Sequence, residues 1–469
     1  MPGSAAIIGP MRFMRRTVAL VTVGAFLGSG AAHAGPGWFE VQSLDGRGNN
    51  RAHPEWGAVG EAYLRVAPAR YADGAGQPVA EPNARYVSSR IFADGGQNLL
   101  SDRQVSQWAQ FMDHTFGLRE DTNTDASIPW DNDAPPEHVR NDLGSIPMRR
   151  SGVVEGLTPY EQKNIVSSYL DGFAVYGGEQ GRLAWLRDGA KLLLPKNMLP
   201  RRKVTTDVSR YTEAQLEALR AKGATVTVTG EKVEIGMLPF QPDLVDEVQI
   251  GPLLQSFGAQ PENRNDEVVD EDTLRSIVFL IPGCQPRCLT AVVDVSALDV
   301  ERGRDHGIAI YNDLRRAYGL TPQPSFRAIS GETTESFPAD PELTPGDEIN
   351  DPDSLGHVSP GVRRTTTAAR LKAIYGDLSG VDAIVGMMAE PRLPGSEFGE
   401  LQHAIWKKQF EALRDGDRFF HANDPALRII KARYGIDHRR TLGDVIAANT
   451  DVPCGDLAYN VFRTHPPVG

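Results

Sequence analysis

The sequence predicts a mainly α-helical domain with long loops and one short β-hairpin, on three observations. Apolar residues recur at helical spacing in many segments, strand-like alternation is convincing in one place, and Gly-, Pro- and Asp-rich stretches separate the periodic ones. With 469 residues, 40% of them apolar and 23% charged, there is ample material for a large core.

At the start, Arg12, Arg15 and Arg16 precede an apolar run, Val18 to Leu27, that ends in small residues and Ala32-His33-Ala34. That is a secretory signal pattern over residues 1–34, with cleavage expected near Ala34 and a secreted or periplasmic destination. Arg15-Arg16 is only a weak twin-arginine cue. A membrane anchor needs about 20 apolar residues, and Gly24, Gly28, Ser29 and Gly30 interrupt this run earlier. No second long apolar segment follows, so no transmembrane segment is expected after cleavage. Losing residues 1–34 removes three arginines and no acid, which moves the formal net charge from −12 to −15. Such a charge argues against nucleic acid as a partner.

Residues 35–469 read as one domain. Gly35 to Gly96 is rich in turn residues with little periodicity, an extended arm laid over a core. Ser101 and Gln104 form a capping box, and Val105, Trp108, Met112, Thr115 and Phe116 then predict a helix from Asp102 to Leu118. Thr158, Pro159 and Glu161 open another that runs into Ser167 to Gly172. Thr212 caps a helix that Gly223 stops. The hairpin is Thr225 to Thr229 and Lys232 to Ile235, turning at Gly230-Glu231. Helical spacing returns in Asp272–Phe279, Asp299–Tyr318, Thr366–Tyr375, Glu400–Arg414, Ala426–Tyr434 and Leu442–Ala448, with a long loop from Phe337 to Pro360.

Three cysteines cannot all pair within one chain. Cys284 and Cys288 bridge only across a tight loop, so either one small disulfide or free thiols is expected, with Cys454 unpaired. A zinc site wants four ligands, and no histidine lies near either cysteine.

Two clusters could carry chemistry. Gln110 and His114, four apart, share a helix face with Asp113 beside them, and an imidazole with an ordinary pKa near 6.5 can move protons in both directions. Arg302-Gly303-Arg304-Asp305-His306-Gly307 concentrates charge at a helix start, and a buried ion-pair and capping network is the plainer reading of it.

Together these stretches resemble the animal-type haem peroxidase family. Trp108 to His114 is similar to its distal motif, and Arg302 to Gly307 followed by Tyr311-Asn312-Asp313-Leu314-Arg315 is similar to its most specific signature. Asn49-Asn50 with Pro54 to Gly57, the Asp171 loop and Leu413 to Phe419 match as well, in the family's order. The resemblance covers most of the mature chain. It implies b-type haem, hydrogen peroxide, and small organic donors or halides. His114 would be the distal base, Gln110 would line the distal pocket, Asp113 would form an ester to haem, and Arg302 would pair with a propionate. It also implies calcium held by Ser167, Tyr169 and Asp171. Two departures weaken that calcium site, since Thr115 stands where aspartate is usual and Phe173 where a serine is expected.

The resemblance fails in the centre. The family's segment carrying the catalytic arginine, the second ester-forming glutamate and the proximal histidine is shortened here to about residues 205–246, which contain no histidine. The usual asparagine before the signature is Asp299. His403 is the least implausible of the remaining histidines as an axial ligand, which stays unassigned. The competing reading is therefore a catalytically inactive secreted homologue that binds or builds, and a third is that an internal segment of the natural chain is missing from this sequence. A lipid dioxygenase of the same superfamily would need a radical-forming tyrosine from that same region.

Overall fold

The computed structural model describes residues 40, 42–92, 98–102, 112, 115–129, 145–169, 202–237, 248–259, 261–263, 277–280, 289–336, 366–458 and 460–463. Residues 41–469 form one compact unit, divided from residues 1–40. Along this unit run α1 (Ala84–Ile91), β1 (Asn98–Asp102), β2 (Asp121–Pro129), β3 (Ser145–Ser151), β4 (Arg202–Asp207), α2 (Glu213–Ala221), β5 (Thr225–Thr229) and β6 (Lys232–Met237). After α3 (Ile250–Ala259) come β7 (Pro261–Asn263), β8 (Ile277–Leu280) and β9 (Leu289–Val293). The remainder is helical: α4 (Val295–Asp305), α5 (Tyr311–Ala317), α6 (Phe326–Ser330), α7 (Thr367–Tyr375), α8 (Ala383–Ala389), α9 (Glu400–Gly416), α10 (Ala426–Tyr434) and α11 (Leu442–Asn449). The architecture is mainly α, as expected, with small antiparallel sheets that pair β1 with β7, β2 with β3, β8 with β9, and β4-β6-β5. No described helix is long and apolar enough to cross a membrane.

The principal core gathers Val87 and Ile91 of α1, Ile128 and Ile146 of the β2–β3 pair, Val300, Tyr311, Ile329, Leu371, Val385 and Leu401. One residue ties α1 to α4. Asp294 is fully buried, caps α4 by accepting from the Ala297 N–H, accepts from Ser88 Oγ and pairs with Arg85. A second core belongs to the central segment, where Val204, Leu216, Leu219, Val233, Ile235 and Leu253 pack between the β4-β6-β5 sheet, α2 and α3.

Several sequence expectations need correction. The arm is not uniformly extended, because Asn83 caps α1 and the spacing of Ala84, Val87 and Ile91 drives one helix face into the core. Asp102 closes a strand, and helix is seen at Met112 and Thr115–Phe116 but not at Leu118. The segment after Thr158 is extended. Gln162, Lys163 and Asn164 bridge to Val153, Ala62 and Arg119, and burial alternates at residues 162, 164 and 166. The buried amides are satisfied, Gln162 donating to the Tyr71 hydroxyl at 3.1 Å and Asn164 to the Ala58 carbonyl at 3.2 Å. Ile277–Leu280, expected to end a helix, is strand β8, since a short apolar run suits either state. Asp299–Tyr318 is two helices, α4 and α5. The break is Gly307 at φ +59°, where a Cβ would come within 2.6 Å of the Tyr71 ring. The hairpin β5–β6 forms where expected, gaining β4 as a third strand.

Candidate functional site

The Arg302–Gly307 signature lies at the C-terminal end of α4, and each charged side chain there has a partner from a distant part of the chain. Arg304 grips Asp382 at the start of α8 with two bonds, Nε to Oδ1 at 3.0 Å and Nη2 to Oδ2 at 2.7 Å, and Tyr375 donates to the same carboxylate at 2.8 Å. Asp305 accepts from Arg150 Nε at 2.6 Å and from the Ser151 N–H at 3.0 Å. Burial pushes the Asp305 carboxyl up, but those bonds and the Arg150 charge hold it below its ordinary range. His306 Nε2 meets Ser151 Oγ at 2.6 Å. Burial pulls its pKa down to about 4 against the opposing charge of Asp305, with Arg119, Arg302 and Arg65 adding to the fall, so the ring is neutral at pH 7. One helical turn further on, the Tyr311 hydroxyl and Arg315 both donate to Glu390 Oε1 at 2.6 Å, and Arg315 also pairs with Glu400.

Arg302 lies at the edge of this interior. Its Nη1 donates to the Arg149 carbonyl at 2.5 Å, to Ser151 Oγ at 3.2 Å and to Asp305 Oδ2 at 3.3 Å. It shares the less buried face of α4 with exposed Asp299. A guanidinium on a part-open helix face suits a carboxylate such as a propionate, and to that extent the residues fit the edge of a haem.

They do not fit its iron. Among the described histidines, His306 is bound to Ser151, His53 stacks on Trp56 with centroids 3.6 Å apart, His403 and His421 are exposed, and His438 is half-buried with its ring centroid 6.1 Å from that of His421. His403, on α9, is exposed, and the Nδ1 of His438 is buried without a hydrogen-bond partner. The central segment contains no histidine and folds around its own apolar core.

Gln110, Asp113, His114 and Asp171 lie outside the described residues, as do Cys284, Cys288 and the loop from Phe337 to Pro360. Cys454 is free and exposed. Ser167 is fully buried and its Oγ accepts from the Tyr169 N–H at 3.5 Å, while the Tyr169 hydroxyl donates to the Trp56 carbonyl at 2.7 Å. Those bonds close the loop on itself and on the arm. Among the described residues no group of three or more His, Cys, Asp or Glu could hold a metal. The sequence did not disclose Ser151, Arg150 and Asp382 as partners of the signature, because they stand 155, 155 and 78 residues from His306, Asp305 and Arg304.

The model of the family described as animal haem peroxidase matches residues 41–222 and 203–462. The two matches meet in 203–222, inside the shortened central region. Dual oxidase 1 of Caenorhabditis elegans is 31% identical over 221 residues, covering 47% of this chain and 12% of that protein. A peroxidasin homologue of the same organism is 22% identical over 584 residues, covering 88% of this chain and 41% of that protein. This chain thus spans less than half the length of either relative. The longer alignment exceeds the 469 residues of this chain, so part of that relative has no counterpart here. Among solved structures, peroxidase A of Dictyostelium discoideum superposes with a TM-score of 0.63 at 19% identity, over 91% of this chain and 100% of that one, which shows a shared fold. The chain belongs to the animal haem peroxidase family.

Proposed function

We propose that the protein is a haem-dependent peroxidase that uses hydrogen peroxide to oxidise small organic donors or halides. The carrying observation is the family match on both sides of the central region, with the Trp108–His114 motif in the first part and the Arg302–Arg315 signature in the second. In this reading haem, when bound, supplies the redox chemistry. His114 takes a proton from hydrogen peroxide and returns it to the departing oxygen, while Gln110 orients water or a halide beside it. Asp113 and Arg302 hold the haem edge, and the guanidinium of Arg302 suits a propionate. Calcium at Ser167, Tyr169 and Asp171 belongs to the same reading, as does a location outside the cytoplasm, supported by the pattern over residues 1–34.

A specific observation favours a second reading, that of a non-catalytic homologue. The interval that carries the axial histidine in the family is here occupied by the β4-β6-β5 sheet and α2, packed around Leu216, Leu219 and Ile235. Without axial ligation the protein loses a principal control over haem potential and affinity.

The test is an absorption spectrum of the mature protein with excess haem, run beside His114→Ala. The peroxidase reading expects stoichiometric haem with a Soret band whose response to peroxide disappears in the variant. A folded protein that takes up no stoichiometric haem overturns it and leaves the second reading.

A further inference from the structure

A cavity of about 490 Å³ lies between the arm at residues 63–67, the Gly117–Arg119 turn, α4, the start of α5, α8 and α9. Its inner wall is apolar, with Val300, Ile310, Leu314, Ile384, Met387 and Ile405, and its exposed lining residues Leu64, Val66 and Ile308 mark the mouth. Size and lining are those of a small-molecule site.

Among the described lining residues, three arginines stand against one carboxylate. Arg65, Arg70 and Arg119 all border the space. Asp382, the one carboxylate there, is committed to Arg304 and Tyr375. Arg65 is held by Glu161 and Gln162, and Arg70 by Glu81, so these guanidiniums are fixed in place.

Gly303 lies inside α4 and lines the cavity, and a Cβ built on it would meet nothing within 4 Å. Glycine in a helix interior is less favourable than alanine. Nothing packs against this position to demand the absence of a side chain, and what the glycine preserves is open space over α4.

We propose that this cavity binds a small monocarboxylate with an apolar, ring-sized body, its carboxylate near Arg65, Arg70 and Arg119 and its body against Val300, Ile384 and Met387. The carboxylate gains charge-assisted contacts while the body removes apolar surface from water. The site uses Val300 and Gly303, whereas Asp299 and Arg302 face elsewhere, so it does not depend on haem.

The test is isothermal titration of the full chain, without added haem, with 2-naphthoate and with its neutral amide, 2-naphthamide. One naphthoate per chain is expected, weakened by salt, with the amide binding at least about tenfold more weakly. Gly303→Leu, whose Cβ enters open space, and Met387→Phe, at another lining residue, are each expected to lower naphthoate affinity by at least about tenfold, with circular dichroism unchanged. Absence of naphthoate binding, equal binding of acid and amide, or unchanged affinity in folded Gly303→Leu and Met387→Phe each overturns the proposal.

Discussion

The signature region around α4 and the central segment β4–α3 are both well packed, but they are held together by different physics. Around α4 the interior contains charge: Arg304 with Asp382, Asp305 with Arg150, and Arg315 with Glu390, most of them less than a tenth exposed. In the central segment the described buried side chains are mostly apolar, Val204, Leu216, Leu219, Val233, Ile235 and Leu253 among them, with Thr206, Ser256 and the Tyr211 hydroxyl the polar exceptions. Its ion pairs, such as Arg220 with Glu217, lie on the surface. An apolar core accepts any residues of fitting shape and pattern, whereas a buried ion pair demands one particular partner in one geometry. That difference explains why the signature is recognisable as a motif and the central segment only as a pattern.

The largest expected effect tests the charged side. Asp382→Ala removes both short bonds to the buried Arg304 guanidinium, leaving it the longer contact to Glu301 at 3.4 Å, and is expected to cost about 3–5 kcal/mol in urea unfolding. Leu219→Ala, at a fully buried position of α2, is expected to cost about 3 kcal/mol from lost burial and the cavity left behind. Amide exchange sharpens the contrast. Asp382→Ala should accelerate exchange in α4 and α8, and Leu219→Ala in α2 and β4–β6. If either variant speeds both regions equally, they are one cooperative unit and the comparison fails.

Acid provides the next test, because only the signature region buries an imidazole. The folded state holds His306 near pKa 4 while the unfolded chain has about 6.5, so below pH 6.5 the unfolded state binds the extra proton. Stability is therefore complete above pH 6.5 and falls as pH drops toward 4, by about 3 kcal/mol in all. Asp305, with its pKa lowered, adds a further loss below the ordinary carboxylate range. His306→Gln should flatten the profile between pH 6.5 and 4 while keeping a partner for Ser151. A profile that stays equally steep in that variant assigns the acid sensitivity elsewhere.

What the sequence disclosed divides along the same line. Helices with their own caps were legible, α2 behind Thr212, α7 behind Thr366 and α11 behind Thr441, and so were α9 and α10 from apolar spacing, the last three within two residues at their ends. The β5–β6 hairpin was legible from alternation and Gly230. Features created by distant neighbours were not. The bend at Gly307 depends on the Tyr71 ring, and the extended run at 162–166 depends on acceptors and donors supplied by the arm. Helix α1 was hidden because eight residues in a Pro- and Gly-rich context give too short a period to read, although Asn83 was an available cap. At the site, residue types were visible in Arg302 to His306, but their partners arrive from β3 and α8 and carry no local mark.

The smallest effect isolates a local term in the central segment. Thr212 Oγ1 accepts from the Gln215 N–H at 3.3 Å, and Gln215 Oε1 accepts from the Thr212 N–H at 2.9 Å, closing a capping box at the start of α2. Thr212→Ala leaves the Gln215 N–H to water and should cost about 1 kcal/mol in urea unfolding, against three to five times that for Asp382→Ala. Water can reach Thr212, so the freed donor is not buried as Arg304 is. The cap involves no titrating group, so this loss should be the same at pH 4.5 and pH 7. A loss that grows with acid would mean that protonation near His306 is transmitted into the central segment, and the two regions would then have to be treated as one coupled body.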